Sequence, residues 1–481
     1  MTRSRLMSAP AARRAAAVAA AAVLALLWRR RKRARTLAVV MPGFGEAIEI
    51  ATTAVERSEG HGVGGPAAIA RVDDGAGAEQ TIGSPVRFDE LMEGGGAFRN
   101  VTTYCYDATS AGDRFLFLEV TSLEALWDEP FHDRGIRKLA TGRCFVASAA
   151  TAAAWAERRW ADGGLGTTLH VWNTGRCGST LLHRLLWASG AVASVSEPYW
   201  FDQLTAEARG AVLSGCSNQS TSARRRGLAR TAHALDFHVA RRLRPAAVAC
   251  AMNPKGSGHY VLVDTIAALP SAGARQLFMH RDVTKVAESF CSIFAAQQRQ
   301  QREAAGRARR VVVGLIGGLI ARLGKKPPPA TFASRRLREL SARNALASCP
   351  APPPMARMIA TSWSDAVSLW REQLADAADV EGMLTLRMDE FVDKTRREAI
   401  CEYLLRWIGA GTDGLAAAVA QFGEHSQKGN TMARSSNAGA VPRALSDEDT
   451  AAVAQLARAA IGGDDPTRLV LPRSLAIDIS V

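Results

Sequence analysis

The segment Thr167 to Asp202, TTLHVWNTGRCGSTLLHRLLWASGAVASVSEPYWFD, constrains the fold of this chain more than any other. Thr168 to Trp172 is short and rich in β-branched and aromatic residues, which predicts a strand. Gly175 and Gly178 then bracket Arg176 and Cys177. From Ser179 onward Leu181, Leu182, Leu185 and Leu186 fall on one helical face, and Gly190 supplies a C-terminal stop. A tight turn opening into a helix leaves backbone N–H groups and the positive end of the helix dipole unpartnered. Two glycines allow close approach of the backbone, and Arg176, Ser179 and Thr180 add a fixed charge and two hydroxyls. The segment therefore predicts an anion site suited to phosphate. It is not a Walker A loop: its glycines are three apart, and Ser179 stands where that loop requires lysine.

The loop G-R-C-G-S-T-L-L resembles the 5′-phosphosulfate loop of sulfotransferases, in which a basic residue is followed by Ser, Gly and two hydroxyl residues. On that resemblance Arg176 is the basic residue, Cys177 replaces the usual serine, and Gly178, Ser179 and Thr180 complete the loop begun at Gly175. A second segment agrees. Gln276 to His280 reads as a buried strand, followed by RDVTKVAESFCSIF with an apolar helical face at Val286, Phe290 and Ile293. Sulfotransferases hold the nucleotide 3′-phosphate with an arginine at a strand end and a serine eight positions later. Arg281 and Ser289 have that separation, although Val283 stands where the family has proline. A third echo is the order of a helix from Ser364 to Leu374 bearing Trp370, a strand from Met383 to Met388 running into Asp389 and Glu390, and a helix from Arg396 to Trp407. Finally, HSQKGN, with Lys428 and Gly429, resembles the late basic-glycine segment that closes over the nucleotide.

The resemblance implies an α/β fold with a P-loop-type parallel sheet flanked by helices, over residues 166–443. It implies sulfuryl transfer from 3′-phosphoadenosine 5′-phosphosulfate (PAPS), without a metal, to a hydroxyl or amine. In that reaction Arg176 would stabilise charge on the departing 5′-phosphate, and as an arginine it stays protonated. Glu197, in Ser-Glu-Pro-Tyr-Trp after the second short strand, should emerge at the sheet edge where such folds place ligands. Carbohydrate sulfotransferases have a glutamate followed by proline here as their candidate base, which points to a glycan or a small hydroxyl compound as acceptor. His259 is the alternative base, in the register of cytosolic relatives, and Lys255 in the same loop is a candidate nucleotide contact. Two other classes stay open: another P-loop nucleotide enzyme, and a membrane-tethered scaffold of the same fold without activity.

The net charge of +14 suggests a nucleic-acid partner, but its distribution argues against one. Residues 1–35 hold ten Arg/Lys and no acid, and residues 299–343 hold twelve against Glu303 and Glu339. Removing these 20 positive charges from +14 leaves −6 elsewhere, so the remainder is not a basic surface. In the leader, the 14 apolar residues Ala15 to Trp28 lie between basic clusters. A span needs about 20 residues. This leader reads as a short signal anchor giving membrane attachment in the Golgi or secretory pathway, as an organellar transit peptide, or as a cleaved secretory signal. The heavier basic cluster follows the apolar run, which disfavours a lumenal C-terminus.

Residues 36–150 fall outside the resemblance. Gly-rich loops separate strand-like runs at Val101 to Tyr106 and Phe115 to Val120, which predicts an accessory mixed α/β region. Residues 295–362, Gln/Arg-rich and then Pro-rich, read as a basic insertion, and 444–481 as a tail. The eight cysteines show no C-x-x-C or metal spacing. Asn100-Val-Thr and Asn218-Gln-Ser have the form of glycosylation acceptors.

Overall fold

In the computed structural model, residues 43–51, 82–109, 112–161, 166–214, 219–253, 274–304, 354–377, 381–424 and 444–475 are described. The leader, His259, Lys255, the apolar run Val311 to Ile320, and Lys428 with Gly429 lie outside them. No helix among the described residues is long and apolar enough to cross a membrane.

The first part of the chain supplies strands β1 (Glu46–Ala51), β2 (Ile82–Arg87), β3 (Val101–Thr109), β4 (Gly112–Val120) and β5 (Ala140–Ser148). They form an antiparallel sheet of order β2-β1-β5-β4-β3. Helices α1 (Phe88–Glu93), α2 (Leu123–Asp128), α3 (His132–Leu139) and α4 (Ala149–Ala161) accompany it. Then come β6 (Thr167–Asn173), α5 (Ser179–Ala188), β7 (Val192–Ser196), α6 (Tyr199–Ser214), α7 (Gln219–Leu243), β8 (Ala249–Asn253), β9 (Ala274–His280) and α8 (Val283–Ala304). The chain continues with α9 (Pro354–Asp376), β10 (Met383–Arg387), α10 (Met388–Phe391), α11 (Arg397–Trp407), α12 (Leu415–Ala420) and α13 (Asp447–Ala460).

Strands β6 to β10 form a second sheet of order β10-β9-β6-β8-β7, parallel in every pairing. This is the parallel sheet flanked by helices that the sequence predicts. It is buried on both faces, as parallel sheets are. Along β6, Leu169 and Val171 face the core shared with Leu182, Leu185 and Leu186 of α5 and Ile400 and Leu404 of α11. Trp172 faces the other, larger core. The sheet order reverses at central β6: β7 and β8 lie to one side, β9 and β10 to the other. The crevice outside the carboxyl ends of β6 and β9 is therefore the ligand position of an open α/β sheet.

The antiparallel sheet shares this larger core. Phe115, Phe117 and Phe145 of β4 and β5 belong to one continuous apolar cluster with Trp155 of α4, Phe237 of α7, and Trp172 and Phe278 of the parallel sheet. Residues 444–475, a tail by sequence, also pack inward. Leu445, Val453, Leu456, Leu469 and Leu471 are in the same cluster, Thr385 N–H donates to the Arg473 carbonyl (2.9 Å), and Ser474 bridges to Thr385. Likewise the expected insertion begins and ends inside helices, since α8 extends to Ala304 and α9 starts at Pro354. The described cysteines 105, 144, 177, 250, 291 and 401 are free thiols.

Candidate active site

The loop between β6 and α5 is shaped by three left-handed residues, Gly175 (φ 78°), Arg176 (φ 52°) and Gly178 (φ 88°). Glycine takes that conformation freely, whereas an L-residue at Arg176 is strained by about 1–3 kcal/mol. A side chain at either glycine would also be crowded. A Cβ on Gly175 would meet the Phe290 ring at 3.0 Å, and one on Gly178 the Met388 Sδ at 3.0 Å. Two hydrogen bonds fix where the loop begins. Thr174 N–H donates to the Met279 carbonyl of β9 (3.1 Å), and Gly175 N–H donates to the Asn173 side-chain carbonyl (2.9 Å). This role of Asn173 was not read from the sequence, although an Asn two residues before a glycine turn is the signal for it.

Gly178 is the N-cap of α5 and has no side-chain cap bond. Ser179 and Thr180 form the first turn, with Ser179 half-buried and Thr180 buried. The helix thus offers its free N–H groups to the crevice. Cys177 departs from the role implied for it. Its side chain is fully buried in the apolar cluster beneath the loop, and burial pushes the thiol up to about 11. It contributes its backbone to the loop and its sulfur to the core. The Thr174 and Ser179 backbones hydrogen-bond the sulfur, which partly offsets the effect of burial on the thiol.

Arg281 and Ser289, which the resemblance implies act as a pair, converge on the same loop. Arg281 follows β9 and its Nη1 donates to the Arg176 carbonyl (3.4 Å). Ser289, in α8, accepts a hydrogen bond from Arg176 Nε (2.9 Å). The Arg281 Nε is buried without a partner among the described residues. Burial lowers the Arg176 pKa, and the neighbouring Arg281 charge lowers it further; Cys177 and Glu197 act in the opposite sense. Two guanidiniums pressed together with an orphaned buried donor fit a multiply charged anion, which would relieve the repulsion and supply the missing acceptor.

Glu197 sits where β7 ends and α6 begins, half-buried, with φ 54°. Its charge reaches the Arg176 guanidinium, favouring the protonated form. Only three non-glycine residues among those described have positive φ: Arg176, Glu197 and Arg473. The two residues assigned chemistry from sequence are thus both in a conformation that persists only where surroundings enforce it. Asp389 and Glu390, the acidic pair after β10, lie at the same carboxyl end of the sheet, where Lys285 and Arg387 approach Asp389 at 3.3 and 3.5 Å. Burial raises the Glu390 pKa. Among the described residues no group of three or more His, Cys, Asp or Glu could hold a metal ion.

No family model matches the chain, and no curated protein matches it. Among solved structures it is similar to the sulfotransferase STF9 from Mycobacterium avium, at 13% identity over 58% of this chain and 75% of that one, with a TM-score of 0.30. It is also similar to the sulfotransferase domain of the Synechococcus PCC 7002 olefin synthase, at 12% identity over 66% and 92% of the two chains, with a TM-score of 0.29. A third is the sulfotransferase domain from the curacin biosynthetic pathway, at 15% identity over 61% and 97%, with a TM-score of 0.28. Likeness at this level carries no chemistry, which rests on the residues of the loop and its partners.

Proposed function

We propose that the chain is a sulfotransferase, moving a sulfuryl group from PAPS to a hydroxyl or amine of an acceptor, with a carbohydrate as the favoured class. The observation that carries this reading is the convergence of Arg281 and Ser289 on Arg176, more than 100 positions earlier, at one glycine loop on the sheet's carboxyl edge. A Walker-type kinase would need a lysine that the loop lacks, and a scaffold would not need both arginines and a strained glutamate beside them.

In this reading the 5′-phosphosulfate lies on the N–H groups of 175–180, and the 3′-phosphate is held by Arg281 and Ser289. The acceptor oxygen attacks sulfur while the bond from sulfur to the bridging phosphate oxygen breaks. Adenosine 3′,5′-bisphosphate leaves with the electron pair, and the acceptor proton passes to the Glu197 carboxylate. Arg176 stays protonated and stabilises charge on the leaving oxygens; removal of one such donor typically costs ~3 kcal/mol of barrier. Lys428 and Gly429 would complete the nucleotide enclosure. The leader, through residues 15–28, would give membrane or organelle address.

The test is transfer of labelled sulfate from PAPS to a panel of glycans, lipids and small phenols. Transfer to glycan hydroxyls is expected. Nucleotide binding without transfer to any member of the panel would support the scaffold reading instead.

A further inference from the structure

The left-handed backbone of Glu197 must be enforced from both sides. Upstream the enforcement is plain, because all of β7 is buried in the parallel sheet. Downstream, the first turn of α6 is held by three aromatic contacts, and one of them comes from the antiparallel sheet. Trp200 Nε1 donates to Asp236 of α7 (2.7 Å), and Phe201 packs edge-on against Trp172 of β6. Tyr199, two residues after Glu197, stacks on Tyr104 of β3 with ring centroids 4.9 Å apart and planes 8° apart.

Tyr104 reaches that position through an irregularity. The β3–β4 register runs from Thr103 opposite Phe117 directly to Cys105 opposite Leu116, so Tyr104 is the extra residue of a β-bulge. A bulge weakens the ladder locally and re-aims a side chain, and bulges are frequent beside active sites. Strand β3 is also the edge of its sheet, and α6 closes that edge. Tyr106 N–H donates to Gln203 Oε1 (3.1 Å), and Gln203 Nε2 donates to the Tyr106 carbonyl (2.9 Å). The glutamine amide thus pairs with Tyr106 as the peptide of a neighbouring strand would. Helix α6 is thereby fastened to β3 through Tyr199 and Gln203, both in the first two turns after the glutamate.

We infer that Tyr104 and Gln203 are positioning residues for Glu197: the bulge-borne Tyr104 ring and the Gln203 clamp make the antiparallel sheet part of the active-site framework. This rests on the sulfotransferase reading for what Glu197 does, but not for where it is held. It follows that residues 101–106, outside the parallel sheet altogether, set the aim of the base.

The test compares Tyr104→Ala with Tyr104→Phe, which keeps the stack, in the full chain. Hydrogen exchange is read on peptides covering 196–204, PAP affinity by calorimetry, and turnover with labelled PAPS. In Tyr104→Ala, exchange at 197–201 should accelerate about 10-fold, turnover should fall about 10-fold or more, and PAP affinity should stay within about twofold. Tyr104→Phe should restore all three to wild type. If Tyr104→Ala does not fold, Gln203→Ala carries the same expectations. Unchanged exchange at 197–201 overturns the inference whatever the activity. So does accelerated exchange with unaltered turnover in an enzyme that depends on Glu197. A wild-type protein inert in transfer, or indifferent to Glu197→Gln, contradicts the enzymatic reading instead and leaves exchange to judge the clamp.

Discussion

Arg176 Nε donates to Ser289 Oγ at 2.9 Å, joining the glycine loop after β6 to the helix after β9 across 113 positions of sequence. The two residues are therefore one unit. Ser289 fixes the orientation of the guanidinium. Ser289→Ala should lower adenosine 3′,5′-bisphosphate (PAP) affinity by about 1.5–3 kcal/mol, the range for a hydrogen bond to a charged group, and should also lower turnover because Arg176 loses its orientation. Parallel measurement of PAP affinity and turnover checks this; a serine serving only the 3′-phosphate would change affinity alone.

Glu197→Gln should reduce turnover by about 10²–10⁴-fold, the usual contribution of a general base. The amide is nearly isosteric and leaves the loop untouched, so PAP should bind as before. Arg176→Ala should depress turnover and weaken PAPS binding together. Near-normal turnover in Glu197→Gln, with loss in His259→Ala, would transfer the role of base to His259.

Gly178→Ala meets two obstacles at once, a φ of 88° and the Met388 sulfur 3.0 Å from the new Cβ. It should destabilise the fold by about 1–2 kcal/mol and weaken PAP binding, because the helix start it caps shifts. Met388→Ala would relieve the contact but not the strain, so it should restore only part of the loss. Urea denaturation of the single and double variants measures both contributions.

Acid should destabilise the protein well before carboxylates titrate. Burial lowers His132 and His280 to about 3 and His183, His233 and His238 to about 4, so these rings are neutral in the folded state. The unfolded chain binds their protons near pH 6.5, so stability is full above that value and falls as pH drops towards 4. Asp236 acts in the opposite sense: burial raises it to about 7 from an unfolded 3.8, so its contribution falls as pH rises between those values. Six histidines, since burial also holds His170 well below its usual value, against Asp236 and Glu390 make the net change a loss on acidification. The urea midpoint should drop from pH 7.5 to pH 5, and His233→Phe should flatten that slope. A midpoint independent of pH in this window would show that the buried rings find partners on protonation.

The parts legible in sequence were those fixed by short-range pattern. Strand β6, its glycine loop and α5 follow from residue type and period within 24 positions, and β9 with Arg281 and Ser289 follows from a spacing set by one helix. What sequence left open depends on pairing at a distance. The pairing of β1 with β5 and the stack of Tyr104 on Tyr199 arise from contacts about a hundred residues apart, and the bulge at Tyr104, though within a hairpin, has no residue signature of its own. The segment after Ala444 reads only as a tail because its apolar residues Val453, Leu456 and Leu471 gain meaning only within the larger core. Cys177 shows the limit of motif reading: the backbone of the loop followed the pattern while its side chain joined the core.

The most direct measurement is calorimetric titration of the full chain with adenosine 3′,5′-bisphosphate and, separately, with AMP. Arg281, with its buried orphan Nε, and Ser289 should make the 3′-phosphate decisive. The bisphosphate should bind at least about 10-fold more tightly, and Arg281→Ala should erase about 1.5–3 kcal/mol of its affinity while leaving AMP almost unchanged. Equal affinity for the two nucleotides would contradict the assignment of this loop to a 3′-phosphorylated donor, and with it the sulfotransferase account.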